Sequence, residues 1–79
     1  MRTTLDQLRE GDCARITALR LRGAMRRRLL DFGMIGGTRV RCLRKSPAGD
    51  PVIYMVRGTM LAIRRQDSRR IAVEVTPCR

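Results

Sequence analysis

The chain of 79 residues contains no histidine and no tryptophan, one phenylalanine, one tyrosine, three cysteines and only seven acidic side chains. Without an imidazole no side chain has an ordinary pKa near neutrality, and neither a Ser–His nor a Cys–His nucleophile can be assembled. Gly36-Gly37 lacks the downstream Gly-Lys-Ser/Thr that would set a lysine and a metal-binding hydroxyl on a nucleotide. Catalysis needs convergent titratable groups, so this composition reads as non-enzymatic.

Metal chemistry is poorly provided for as well. Cys13, Cys42 and Cys78 are widely spaced, with no C-x-x-C pair and no imidazole to complete a tetrahedral shell. No cofactor is required on this reading. The one metal chemistry left is opportunistic: an exposed thiol at Cys13 or Cys78, beside a carboxylate, that captures zinc. Cys42 alternates into an apolar strand face and reads as core, as do Met1, Met25, Met34, Met55 and Met60 in their apolar stretches. An odd cysteine count at wide spacing, with Met1-Arg2-Thr3-Thr4 running straight into folded-looking sequence, argues for a cytoplasmic protein in a reducing compartment. The longest apolar run, Val52 to Val56, is far short of the ~20 residues that a membrane-spanning helix needs.

What the chain has in excess is positive charge. Eighteen bases against seven acids give a net charge of +11, with Lys45 the single lysine among arginines. Phosphates, lipid headgroups and acidic protein surfaces are the natural partners of such a charge. Binders of single-stranded nucleic acid also stack bases on aromatic rings, and Phe32 and Tyr54 are all this chain offers. A small basic nucleic-acid-binding barrel, using Arg26, Arg27 and Arg28 against duplex phosphates, is the alternative that charge alone supports. The plainer reading of those three arginines is a solvated helix face.

The elements follow from periodicity. Thr4-Leu5-Asp6-Gln7 fits a capping box and starts a short helix whose Leu5 and Leu8 plug a barrel end, with Gly11 ending it. Residues 12–19 alternate as a strand. Ala24 to Phe32 reads as an amphipathic helix, with Met25, Leu29 and Phe32 on the apolar side, an Arg27–Asp31 pair on the surface and Gly33 as a left-handed cap. A second strand alternates through Thr38, Val40 and Cys42. Ser46 to Pro51 is a loop, Val52 to Val56 and Met60 to Ile63 form a hairpin around Arg57-Gly58-Thr59, residues 66–70 make a helical turn, and Ile71, Val73 and Val75 alternate as a last strand. Residues 76–79 are a loose end. The expected fold is mainly β: a single domain over residues 1–79, built as a small, partly closed barrel of about five strands, with a short N-terminal helix and one helix between strands 1 and 2.

The order of motifs then resembles a known family. Arg28-Leu29-Leu30-Asp31-Phe32-Gly33-Met34-Ile35-Gly36-Gly37-Thr38-Arg39-Val40 is similar to the R-L-x-x-L-G-x-x-P-G-x-x-V signature of the FeoA family of bacterial ferrous iron transport proteins. Ser46-Pro47, Gly49-Asp50-Pro51-Val52, Arg57-Gly58 and Leu61-Ala62-Ile63-Arg64-Arg65 resemble its following loop, strand and hairpin, and Leu5-Asp6-Gln7-Leu8 with Gly11-Asp12 its opening, so the likeness spans residues 3 to 75. Phe32 stands where that family often has leucine and Gly36 where it usually has proline. The resemblance implies an SH3-like barrel and a cytosolic accessory role in ferrous iron uptake beside FeoB, a membrane transporter with a cytosolic GTP-binding portion. Two aromatics cannot line a proline-motif groove, so the expected mode is surface docking to FeoB. The residues assigned to that contact are Arg26, Arg27 and Arg28 with Ser46, Pro47, Asp50 and Pro51 of the loop.

Overall fold

The structure, a computed structural model, describes residues 1–78; Arg79, the last residue of the expected loose end, lies outside them. Six antiparallel strands form one sheet: β1 (Arg2–Thr4), β2 (Cys13–Leu19), β3 (Arg39–Lys45), β4 (Val52–Val56), β5 (Thr59–Ile63) and β6 (Ile71–Thr76). Their spatial order is β1-β6-β2-β3-β4-β5. The two end strands, β1 and β5, are not paired with each other, so the sheet curls without closing. Two helices are inserted, α1 (Gly23–Asp31) between β2 and β3 and α2 (Arg65–Ser68) between β5 and β6.

Alternation decides what the sheet encloses. Ala14 and Ile16 of β2, Val40 and Cys42 of β3, Val52, Tyr54 and Val56 of β4, and Ile71 and Val73 of β6 all point into one buried core. A single turn of 3₁₀ helix, Leu5–Gln7, sets Leu5 and Leu8 across the end of that core, both essentially inaccessible. The expected plug is present, built from a tighter turn than an α-helix.

Several expectations are corrected. The strand count is six, because Arg2–Thr4 pairs with β6 from Glu74 to Ala72; three residues show no period that could announce a strand. The capping box does not form: the Thr4 hydroxyl donates to the Asp6 carboxylate instead of serving a backbone amide. Arg27 and Asp31 make no ion pair; the ion pairs among the described residues join the Met1 amine and Arg2 to Glu74, and Arg9 to Asp12, all at the surface. The β4–β5 loop has two residues, Arg57 and Gly58, both at positive φ (51° and 80°), the geometry that matches the twist of a hairpin.

The largest correction concerns the cysteines. Cys13 and Cys78 are joined in a disulfide, and Cys42 alone is a free, buried thiol. Pairing of Cys13 with Thr76 in the β2–β6 ladder brings Cys78 back beside Cys13. Bonded to each other, the two sulfurs are not the free thiols that the sequence reading assumed at these positions. Residues 77 and 78 are fastened to β2, and Thr76 belongs to β6, so that part of the expected loose end is tethered.

Candidate docking groove

α1 ends in a defined way. The Met34 amide donates to Leu29 O at 3.0 Å and the Gly33 amide to Leu30 O at 2.9 Å, the paired bonds of a Schellman stop, with Gly33 at φ 88°. Leu29 and Met34, the two side chains that accompany such a stop, are both buried. The Thr38 hydroxyl donates to Gly33 O at 2.8 Å and fixes the following turn. Phe32, the last residue of the expected apolar stripe, falls just past the helix and is 42% exposed; Met25 is half-buried, and Leu29 alone of the three is in the core.

Between α1 and the edge strand β5 lies a groove of about 490 Å³. Met25, Leu29 and Phe32 form one wall and Met60, Leu61 and Ile63 the other, while Arg28, Arg64 and Asp67 provide the polar rim. Met60 is 67% exposed, so two large apolar side chains face water across one concave surface. Among the described residues β5 pairs only with β4, so the groove also runs along an unpaired strand edge.

The residues assigned from sequence separate in space. Arg26, Arg27 and Arg28 are all exposed on α1, and only Arg28 lines the groove. Ser46, Pro47, Asp50 and Pro51 lie in the β3–β4 loop and none of them lines it. That loop is tied internally by Ser46 N to Pro51 O (3.2 Å) and Gly49 N to Ser46 O (2.8 Å). Asp50 Oδ1 accepts from the Arg65 amide at 2.9 Å and so secures the first turn of α2. The loop therefore buttresses α2, which closes one end of the groove through Gln66 and Asp67. Sequence reasoning overlooked Met60 and Leu61; the available signal was a methionine at the exposed phase of a strand next to a tight turn.

Titratable groups in the interior serve the fold. Burial pushes the Tyr54 phenol up to about 12, and its hydroxyl donates to Leu5 O at 3.3 Å. Burial likewise raises the Cys42 thiol. Among the described residues, no three His, Cys, Asp or Glu side chains converge to hold a metal ion. No helix among the described residues is long and apolar enough to cross a membrane.

A profile of the FeoA domain matches residues 3–75. The chain belongs to the FeoA domain family. It is 34% identical over 71 residues to the Fe(2+) transport protein A/Fe(2+) transporter FeoB fusion protein of Porphyromonas gingivalis, covering 90% of this chain but only 8% of that much longer relative. In three dimensions it superposes on the FeoA protein of Chlorobium tepidum with a TM-score of 0.90 at 35% identity, over 95% of this chain and 71% of that one. FeoA of Stenotrophomonas maltophilia, solved as a zinc complex and described as a prokaryotic SH3 domain protein, gives a TM-score of 0.80 at 30% identity, over 91% of this chain and 89% of that one. The six-stranded sheet is thus an SH3-like FeoA fold.

Proposed function

We propose that this FeoA domain acts in ferrous iron uptake without catalysis, as a cytosolic accessory that docks on the cytosolic, GTP-binding part of FeoB through the α1–β5 groove. The observation that carries the reading is the groove itself: Phe32 and Met60 are exposed on facing walls of one concave surface, beside an unpaired strand edge. Arg28 and Arg64 on its rim favour a segment that carries carboxylates next to apolar anchors. Fusion of an FeoA region to FeoB in the Porphyromonas gingivalis relative supports the choice of partner. Arg26 and Arg27, which directly precede Arg28 on α1 and lie outside the groove, steer the approach more than they anchor it.

The test is a titration of the cytosolic part of FeoB with this domain and two sets of variants. M60E and F32E each place a carboxylate on a groove wall and are expected to weaken binding by at least ~10-fold, the scale of losing an apolar anchor. Reversal of Arg26 and Arg27 is expected to slow association with a smaller change in dissociation. Binding unaffected by both groove variants overturns the groove assignment. Steep, salt-dependent binding to random duplex DNA with no binding to FeoB would favour a nucleic-acid-binding barrel instead.

A further inference from the structure

The outer face of the sheet carries a second feature, distant in function from the groove. Strand register sets Cys13 opposite Arg41 of β3 on one side and Thr76 of β6 on the other, and Arg41 opposite Met55 of β4. Directly opposed residues in an antiparallel ladder point to the same face, so the Arg41 and Cys13 side chains are neighbours there. The Cys13–Cys78 disulfide forms part of the wall of a hollow of about 340 Å³, which Pro77, Arg41, Met55 and Arg57 also line. Arg39 also lines it; among the described residues no carboxylate does, and neither Arg41 nor Arg57 enters an ion pair with another of them. Cys78 is exposed and Cys13 half-buried at the base.

We propose that the Cys13–Cys78 disulfide is a thiol-exchange site selective for anionic low-molecular-weight thiols of the glutathione class. The carboxylates of such a thiol are held at the Arg41 and Arg57 guanidinium groups, which places its thiolate at the exposed sulfur, Cys78 Sγ. The thiolate sulfur bonds to Cys78 Sγ, the Sγ–Sγ bond breaks, and its electron pair leaves on Cys13 as a thiolate opposite the positive Arg41. An adjacent cation stabilises that leaving thiolate and speeds its departure. The product is a mixed disulfide on Cys78. A second thiolate of the same class then attacks its own sulfur in that mixed disulfide, releasing Cys78 as a thiolate and the small thiol as its symmetrical disulfide. Cys42 takes no part: it is the next residue along β3 from Arg41, so it faces the core, where it is fully buried. Exchange therefore attaches the anionic thiol to residue 78 and unfastens residues 77 and 78 from β2.

The experiment follows reduction of the oxidised full chain by glutathione, by neutral 2-mercaptoethanol and by cationic cysteamine, with rates expressed per thiolate. At low salt glutathione is expected to react about 10-fold faster than the neutral thiol and cysteamine more slowly than it, with the spread collapsing as salt is raised. R41E is expected to abolish the advantage of glutathione and to favour cysteamine. R57Q, a milder surface change, is expected to lower the glutathione rate and leave the neutral rate unchanged. Peptide mass mapping of a quenched sample is expected to find the glutathionyl group on Cys78. Equal rates for the three thiols, an adduct on Cys13, or three free thiols in the air-oxidised protein would each overturn the proposal.

Discussion

The Arg57 side chain lies across Gly33, where a Cβ would stand 2.5 Å from Arg57 Cδ and 3.0 Å from Nε. Gly33 meets two demands at once, the positive φ of 88° that stops α1 and the close approach of a side chain from the β4–β5 turn. The left-handed geometry alone costs a residue with a Cβ roughly 1 kcal/mol. G33A is therefore expected to destabilise the domain by about 1–2 kcal/mol in urea unfolding, the excess arising from displacement of Arg57. In an R57A background the excess should disappear while the left-handed cost remains. A double-mutant cycle with no coupling between the two positions would show that Arg57 yields freely.

A second contact ties a predicted docking residue to the fold. Asp50 Oδ1 accepts from the Arg65 amide at the start of α2, whose own N-cap residue, Arg64, offers no side-chain cap. A carboxylate supplied from a loop fifteen residues earlier thus does the work of a local cap. D50A is expected to cost about 1 kcal/mol in stability, as loss of a cap does, whereas D50N keeps an accepting oxygen and should fall within ~0.5 kcal/mol of the wild type. Because D50N also removes the charge, it separates the two roles. Unchanged stability together with weakened FeoB binding would place Asp50 in the contact rather than behind α2.

Periodicity made most of this fold legible in advance, and its failures share a cause. Strands β2, β3, β4 and β6 alternate between a buried and an open face, a pattern that survives in one dimension. β1 does not: Arg2-Thr3-Thr4 has no apolar face and is a strand only because β6 lies beside it. Phe32 continues the helical stripe of Met25 and Leu29 on paper. The helix stops at Asp31, so one residue of difference turns a core side chain into a groove wall.

The candidate site was half legible for the same reason. Arg28 could be placed on a helix from its neighbours alone, but the opposing wall, Met60 and Leu61, comes from a strand that sequence cannot position against α1. The cysteine pairing was hidden more deeply. It depends on the register that pairs Cys13 with Thr76, on two strands far apart in sequence, and on a bulge between Ile16 and Ala18 that lets the rest of the same ladder stay in phase.

Burial of Tyr54 gives the domain an alkaline limit. Its phenol is 1% exposed and titrates at about 12 in the folded protein against an ordinary value of 10.0. The folded state thus holds this proton more tightly than the unfolded state. The resulting stability is fully present below about pH 10 and drains away as pH rises through about 12, up to ~2–3 kcal/mol in all. Urea unfolding between pH 8 and pH 12 is expected to show that decline in the wild type. Y54F loses the bond to Leu5 O and about 1 kcal/mol at neutral pH, but should lack the Tyr54 share of the alkaline decline. Parallel curves for the two proteins would mean that other groups set the limit.

The disulfide bears on stability independently of any exchange chemistry. It closes a loop with a sequence separation of 65, and a cross-link of that span is expected to stabilise by about 4 kcal/mol through the entropy it removes from the unfolded chain. For a domain of this size that is a large fraction of the total. Yet β2 and β6 are also joined by a ladder from Cys13–Thr76 to Leu19–Ile71, so the sheet is expected to keep its geometry when the bond is absent. The expected result is therefore asymmetric: the C13S/C78S double variant keeps the wild-type circular dichroism spectrum but unfolds at markedly lower urea. Fully reduced wild type should unfold at the midpoint of that variant. A double variant as stable as the oxidised protein would mean that the unfolded chain gains no entropy from release of this link, and one that fails to fold would show that the β2–β6 ladder depends on the bond after all.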